Sequence, residues 1–256
     1  MIELQGITKK FSAITVVNNV SFSVSPGEVL GYLGPNGAGK TTTIRMLAGL
    51  LEPTRGRILF GGRNIRDDLQ AYKRRLGYVP EQSEIYPHLS AYEYLTMVGR
   101  LRGLPERVLK ARIVEFLRVF DLYADMSGPI SSYSKGMRQK VLITAALLHD
   151  PDVLLLDEPL SGLDVTTSLV IRDLIRRLAL EKKAIIYSSH VLEVTEKVCS
   201  KVIILHKGDI VANDSVDNLR HLMNLPSLAE IFSQLVVRED TAAAADRIVA
   251  AMRGEG

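Results

Sequence analysis

The spacing of apolar residues changes period several times along the chain, and each change marks an element. Within the first sixty residues, Ile14-Thr-Val-Val17 and Val20-Ser-Phe-Ser-Val24 are β-branched and alternating, and they stop at the turn-forming Pro26-Gly27. This predicts a strand-rich start. Val29-Leu-Gly-Tyr-Leu33 is a continuous apolar run that enters Gly34-Pro35-Asn36-Gly37-Ala38-Gly39, and from Lys40 the period turns helical through Ile44, Leu47, Leu50 and Leu51. The order is strand, glycine loop, helix. Gly56-Arg-Ile-Leu-Phe60 and Leu76-Gly-Tyr-Val79 predict two further short strands, while about 90–120 and 136–149 carry helix-period apolar residues with few β signals. Buried-type strands return at Val153–Leu156, Ala184–Tyr187 and Val202–Leu205, with helices predicted from Val165, after His190 and from Ser215 onward. Strands alternating with helices predict an α/β fold on a parallel sheet. A helical subdomain is placed at about 83–150, within one domain spanning 1–236, and residues 237–256, Ala-rich at 242–245, read as a short helical tail.

Composition narrows the class. A chain of 256 residues with 46% hydrophobic and 24% charged residues suits one large domain, or one domain with an insertion. Its 32 Lys+Arg against 29 Asp+Glu leave a formal charge of +3, too balanced to suggest nucleic acid as a partner. The lone Cys199 cannot form an internal disulfide, and no spanning apolar run or cleavable signal opens the chain, so a cytoplasmic protein is expected.

Two segments carry chemistry. Gly34-x4-Gly39-Lys40-Thr41 has the phosphate-loop spacing, in which glycines let backbone N–H groups turn toward phosphate oxygens with no Cβ in the way. Lys40 would reach the β- and γ-phosphates, and Thr41 would offer its hydroxyl to Mg²⁺. The following helix, with Thr42 in its first turn, points its positive end at the anion. This loop alone does not separate kinases, GTPases and transport ATPases. Val153-Leu-Leu-Leu-Asp157-Glu158 ends an apolar strand in two carboxylates on opposite sides, so a metal ligand (Asp157) and a base that polarises water (Glu158) can be different groups. His190, after Ile-Ile-Tyr-Ser-Ser, falls past a strand end, at the edge where parallel sheets place ligands.

With these motifs in this order, the chain resembles an ABC ATPase over residues 1 to about 236. The segment Tyr133-Ser134-Lys135-Gly136-Met137-Arg138-Gln139-Lys140 is similar to the family signature Leu-Ser-Gly-Gly-Gln, with Tyr133, Lys135 and Met137 departing from it. Locally, Ser134 reads as a helix N-cap and Gly136 as a close-approach residue. The resemblance implies a P-loop NTPase fold with a mixed or parallel RecA-like core sheet, an N-terminal antiparallel β subdomain and an inserted α-helical subdomain. It implies ATP and Mg²⁺ as cofactors, and a second nucleotide-binding subunit, so that Ser134 and Gly136 complete the site of the neighbouring copy. It also makes Gln82 a sensor of metal and water, Ser161-Gly-Leu-Asp164 the D-loop joining the two sites, His190 a γ-phosphate contact and Phe11 an aromatic that stacks on adenine. Gly34, Pro35, Asn36, Gly37, Ala38, Gly39, Lys40, Thr41 and Thr42 form the nucleotide cradle.

Ser-Lys-Gly-Met and Leu228-x-x-Ile-Phe232 resemble stand-alone bacterial cassettes that serve exporter-type permeases. The expected function is therefore an ATPase subunit that drives a separately encoded membrane permease from the inner face of the cell membrane. The alternative is an ABC ATPase acting on DNA, ribosomes or cluster assembly; a small-molecule kinase would lack the signature and a use for Glu158. Ile85, Tyr86, Leu89, Tyr92 and Tyr94 are either a groove for a coupling helix of the permease or subdomain core.

Overall fold

The computed structural model describes residues 1–82, 85–236 and 251–252. The strand-rich start forms β1 (Ile2–Phe11) and β2 (Ile14–Val24), paired antiparallel through a tight turn, and β1 pairs on its other side with β4 (Arg55–Phe60). With the two-residue β5 (Arg63–Asn64) this gives a four-stranded sheet in the order β2-β1-β4-β5. Between them run β3 (Val29–Leu33) and α1 (Lys40–Leu47), the strand and helix that flank the glycine loop. After β5 the chain continues through α2 (Leu69–Arg74) and β6 (Leu76–Val79) to the helices α3 (Ala91–Leu101), α4 (Glu106–Val119) and α5 (Lys135–Leu147). It then alternates β7 (Val153–Asp157), α6 (Val165–Leu180), β8 (Ala184–Ser188), α7 (Leu192–Val198) and β9 (Lys201–His206), and ends in β10 (Asp209–Ser215), α8 (Val216–Met223) and α9 (Leu228–Val236).

The second sheet has the order β10-β9-β3-β8-β7-β6, parallel except for the antiparallel edge strand β10. Strands β3, β7 and β8 are buried at every position because both sheet faces are covered. Their period-2 geometry divides the core in two. Leu154, Leu156, Ile185 and Tyr187 pack on one side with α3, α4 and α5, whereas Val153, Leu155, Ala184 and Ile186 pack on the other with α1 and the antiparallel sheet. Each fully buried Leu or Ile contributes about 1.5–3 kcal/mol of transfer free energy, so the ends of these strands are firmly anchored places to mount a site.

Helix boundaries follow local chemistry. The helix-period residues read from about 90 form a helix that starts at Ala91, because Ser90 accepts from the Glu93 N–H while the Glu93 carboxylate accepts from the Ser90 N–H, a reciprocal cap that fixes the start. Helix α5 is buried from Val141 through Leu147, being enclosed by α3, α4 and β6. The polar edge strand β10 (DIVANDS) carries too little apolar patterning to be read as a strand, and the alternation rule missed it. Of the tail expected over 237–256, only Ala251 and Met252 lie among the described residues.

Candidate functional site

Parallel pairing brings three chain segments to one sheet edge. Tyr32 of β3 and Asp157 of β7 both register with Ser188 of β8, so the glycine loop, the Asp157-Glu158 pair and Ser188-Ser189-His190 leave the sheet side by side. They enclose a cleft of about 590 Å³ lined by Lys40, Thr41, Asp157, Glu158, Ser188 and His190, together with Asn36, Gly37, Gly39 and Thr42 of the loop.

The loop is shaped by backbone geometry that only glycine tolerates at its end. Gly39 has φ 106°, and a Cβ there would stand 2.7 Å from the Val16 carbonyl oxygen. Ala38 is buried, and its carbonyl accepts from the Gly208 N–H at 3.1 Å, which ties the loop to the sheet. Lys40 Nζ donates to the carbonyls of Gly34 at 2.7 Å and Pro35 at 3.0 Å, so the ammonium is held inside the loop. Burial lowers its pKa, and the carboxylates of Glu158, Asp157 and Glu81 oppose that shift. The loop is therefore a cationic cradle at the N-terminus of α1, with the donor set a polyphosphate requires.

The two carboxylates differ as the strand-end geometry predicts. Asp157 is buried, and burial raises its pKa against the effect of the Ser188 and Thr41 hydroxyls. Its Oδ2 has no hydrogen-bond partner among the described residues. A buried, orphaned carboxylate oxygen beside a threonine hydroxyl suits a hard divalent cation. Glu158 points the other way: Oε1 lies 2.8 Å from His190 Nδ1, and Oε2 accepts from the Ser189 hydroxyl at 3.2 Å. Its φ of 50° is left-handed, an unusual conformation for glutamate, held by the Glu158 N–H donating to the Ser188 carbonyl at 3.0 Å.

Several expected residues lie outside the cleft. Gln82 lines an adjoining cavity of about 570 Å³ that shares Glu81, Glu158 and His190 with the cleft. The group nearest Thr41 from that segment is instead Glu81, whose Oε2 accepts from the Thr41 hydroxyl at 3.5 Å. Ser134 caps α5, accepting from the Met137 N–H, and it is exposed; Gly136 stands against Gly162, where a Cβ would be 2.6 Å from the carbonyl oxygen. Asp164 caps α6, and its two bonds from Thr167 hold its carboxyl at about 2. Phe11 stands opposite Ile14 at the exposed end of β1, with Lys9 Nζ 5.1 Å from its ring centre. None of these four lines the cleft of its own chain. Among the apolar and aromatic candidates of this segment, Ile85, Tyr92 and Tyr94 pack partly buried on the core, while Tyr86 is 62% exposed with its ring 6.4 Å from that of Tyr94. Sequence reasoning missed Ser189 and Glu81, although each is adjacent to a residue it did select.

The family described as ABC transporter matches residues 17–161. The ABC transporter ATP-binding protein NatA of Bacillus subtilis is 38% identical over 93% of this chain and 99% of its own length. The Nod factor export ATP-binding protein I of Ralstonia nicotianae is 34% identical over 83% of this chain and 66% of its own. Among solved structures, the ATP binding subunit of an ABC transporter superposes with a TM-score of 0.87 at 33% identity, covering 92% of this chain and 99% of that one. A dimeric post-hydrolysis ATP-binding cassette bound to ADP and Pi superposes with a TM-score of 0.78 at 25% identity, covering 84% and 98%. Among the described residues, no helix is long and apolar enough to cross a membrane.

Proposed function

The chain belongs to the ABC transporter family as an ATP-binding and ATP-hydrolysing subunit, and from that premise we propose how its residues divide the work and what the work drives. Lys40 and the loop amides bind the β- and γ-phosphates of ATP, with Phe11 stacking on the base. Thr41 and Asp157 would hold Mg²⁺, with Gln82 approaching from the adjoining cavity. When bound, the metal neutralises charge on the transferring phosphoryl group. Glu158 takes a proton from the attacking water; the water oxygen bonds to the γ-phosphorus as the bond to the bridging oxygen breaks, giving ADP and phosphate. His190 keeps Glu158 aimed and steadies the γ-phosphate. The observation that carries this division is the 2.8 Å contact of Glu158 with His190 beside an Asp157 oxygen left free for a cation.

Ser134 stands exposed and Gly136 half-buried at the tip of α5, both away from their own cleft, which supports a role in the site of a second copy. ATP held between Lys40 of one subunit and Ser134 of the other draws the two together, and its hydrolysis lets them part, a ligand-driven shift of population. The partners are integral membrane permease subunits, contacted through the surface around Tyr86, at the inner face of the membrane. The name of the Ralstonia relative and the Ser-Lys-Gly-Met signature favour export; the relatives' names favour transport over the DNA, ribosome or cluster-assembly alternative. Glu158→Gln tests the core of this reading: light scattering should report an ATP-dependent dimer, and phosphate release should fall by about 10²–10⁴-fold. Unchanged turnover would remove Glu158 as the base, and a monomer with bound ATP would remove the sandwich. Detergent co-purification of this variant with ATP should recover a membrane protein.

A further inference from the structure

Four contacts fasten the segment 159–164 to the first turns of α5 in the same chain. Gln139 Nε2 donates to the Pro159 carbonyl at 3.1 Å, and Lys135 Nζ donates to the Ser161 hydroxyl at 2.8 Å. Gly136 abuts the Gly162 carbonyl, and Lys140 Nζ lies 3.7 Å from Asp164 Oδ2. The stem of Lys135 also lies along Gly162, where a Cβ would come within 3.0 Å of its Cγ and Cδ. Two α-helical starts, at Lys135 and Val165, are thus joined by side chains rather than by continuous backbone.

The two ends of this strap face different nucleotides. Lys135 follows Ser134, the residue assigned to the partner's ATP, whereas Ser161 lies three residues beyond Glu158, the base acting on the chain's own ATP. The Ser161 N–H donates to the Glu158 carbonyl at 3.1 Å. A displacement of the α5 tip is therefore delivered to the base of the other site through two hydrogen bonds, Lys135 to Ser161 and Ser161 to Glu158. The lysine–serine bond is exposed, as is the Asp164 end of the Lys140–Asp164 pair, so its loss leaves the buried glutamine bond and the glycine contact in place.

We propose that Lys135 is a positioning residue that couples the two ATP sites of the dimer, through its hydrogen bond to Ser161. This rests on the ATP sandwich proposed above. A lysine at this position in place of glycine gives the signature helix a handle on its own D-loop, so each site reports its occupancy to the other by a mechanical route.

The test is a double-mutant cycle on cooperativity, read as the Hill coefficient of phosphate release against ATP concentration. The unsubstituted protein should give about 2; Lys135→Met, which keeps the stem on Gly162, and Ser161→Ala should each give about 1, and the pair together should lose nothing more. Lys135→Arg should restore most of the cooperativity, while melting temperature and affinity for a fluorescent ADP analogue stay unchanged throughout. A Hill coefficient of about 1 without substitution, cooperativity that survives Lys135→Met, or losses that add would overturn the proposal. Loss in Lys135→Met alone, with Ser161→Ala unaffected, would also overturn it and make the ammonium a direct phosphate contact. ATP-dependent dimerisation of Glu158→Gln separates the two levels: a dimer without this coupling sinks only the role of Lys135, and no dimer sinks the sandwich with it.

Discussion

His190 Nδ1 and Glu158 Oε1 are 2.8 Å apart, joining the loop after β8 to the end of β7, and Ser189 holds the second Glu158 oxygen at 3.2 Å. Glu158 is thus gripped from both sides by consecutive residues of one loop. Because Glu158 sits in a left-handed conformation, its aim depends on those partners as well as on its own backbone. His190→Ala should lower kcat by about 10²–10³-fold while ATP affinity changes by less than about threefold, since the cradle around Lys40 is untouched. Steady-state phosphate release together with titration of a fluorescent nucleotide checks this; a loss below about tenfold would leave the contact without a catalytic role.

Asp157 and Glu158 are neighbours with opposite needs. Asp157 is buried with a raised pKa and an orphaned oxygen, so its charge destabilises the fold at neutral pH. Asp157→Asn removes that charge and should raise the melting temperature by about 2–4 °C for each kcal/mol gained. The same change should abolish the dependence of ATP affinity on Mg²⁺, measured as the ratio of dissociation constants with and without EDTA. A variant that is destabilised and still responds to EDTA would contradict both halves.

The approach of Gly136 to the Gly162 carbonyl is a third constraint. A Cβ 2.6 Å from that oxygen cannot be accommodated without separating α5 from the D-loop. Gly136→Ala should cost about 1–3 kcal/mol in a denaturant titration. In the Glu158→Gln background it should also weaken ATP-dependent dimerisation by at least about tenfold, by moving the tip that carries Ser134. Gly128→Ala, at a position without a left-handed backbone where a Cβ would stand 3.4 Å from its nearest neighbour, the Asp125 carbonyl oxygen, controls for the loss of glycine freedom alone.

How far the sequence reached follows from which signals are local. The strands β3, β7, β8 and β9 were legible because burial on both faces leaves unbroken apolar runs, and the cradle was legible because Gly39-Lys40-Thr41 needs its residue types in consecutive order. Ser134 could be read as a helix cap from its place before the signature helix, whereas the capping of α6 by Asp164 is seen only in the fold. What escaped depends on contacts between distant segments. Glu81 reaching Thr41 spans 40 residues, Ser189 reaching Glu158 spans 31, and Lys135 reaching Ser161 spans 26. No periodicity announces such pairs; the Ser189–Glu158 pair exists because parallel pairing sets the ends of β7 and β8 in register, and the Lys135–Ser161 pair because α5 packs its first turn on the segment after β7. β10 escaped because an edge strand keeps its polar residues toward water.

His149, at the end of α5, makes a 2.9 Å contact through Nε2 with the Leu76 carbonyl, while Nδ1 is buried without a hydrogen-bond partner. Burial depresses its pKa to about 4, the Arg102 and Arg112 guanidiniums adding to the effect and Asp150 and the Leu76 carbonyl opposing it. In the unfolded chain the imidazole titrates near 6.5, so between about 6.5 and about 4 the unfolded state binds a proton that the folded state does not. The contribution to stability is therefore complete above pH 6.5 and is lost as pH falls toward 4. His149→Gln, which can keep a donor toward Leu76 and does not titrate, should flatten the denaturant midpoint across this window relative to the unsubstituted chain. Asp164, whose carboxyl is held at about 2, adds no slope in this window, its contribution being lost only as pH falls from about 4 toward 2. Equal slopes for the two proteins between pH 6.5 and 5 would show that His149 titrates alike in the folded and unfolded chain, and would overturn the depression by burial.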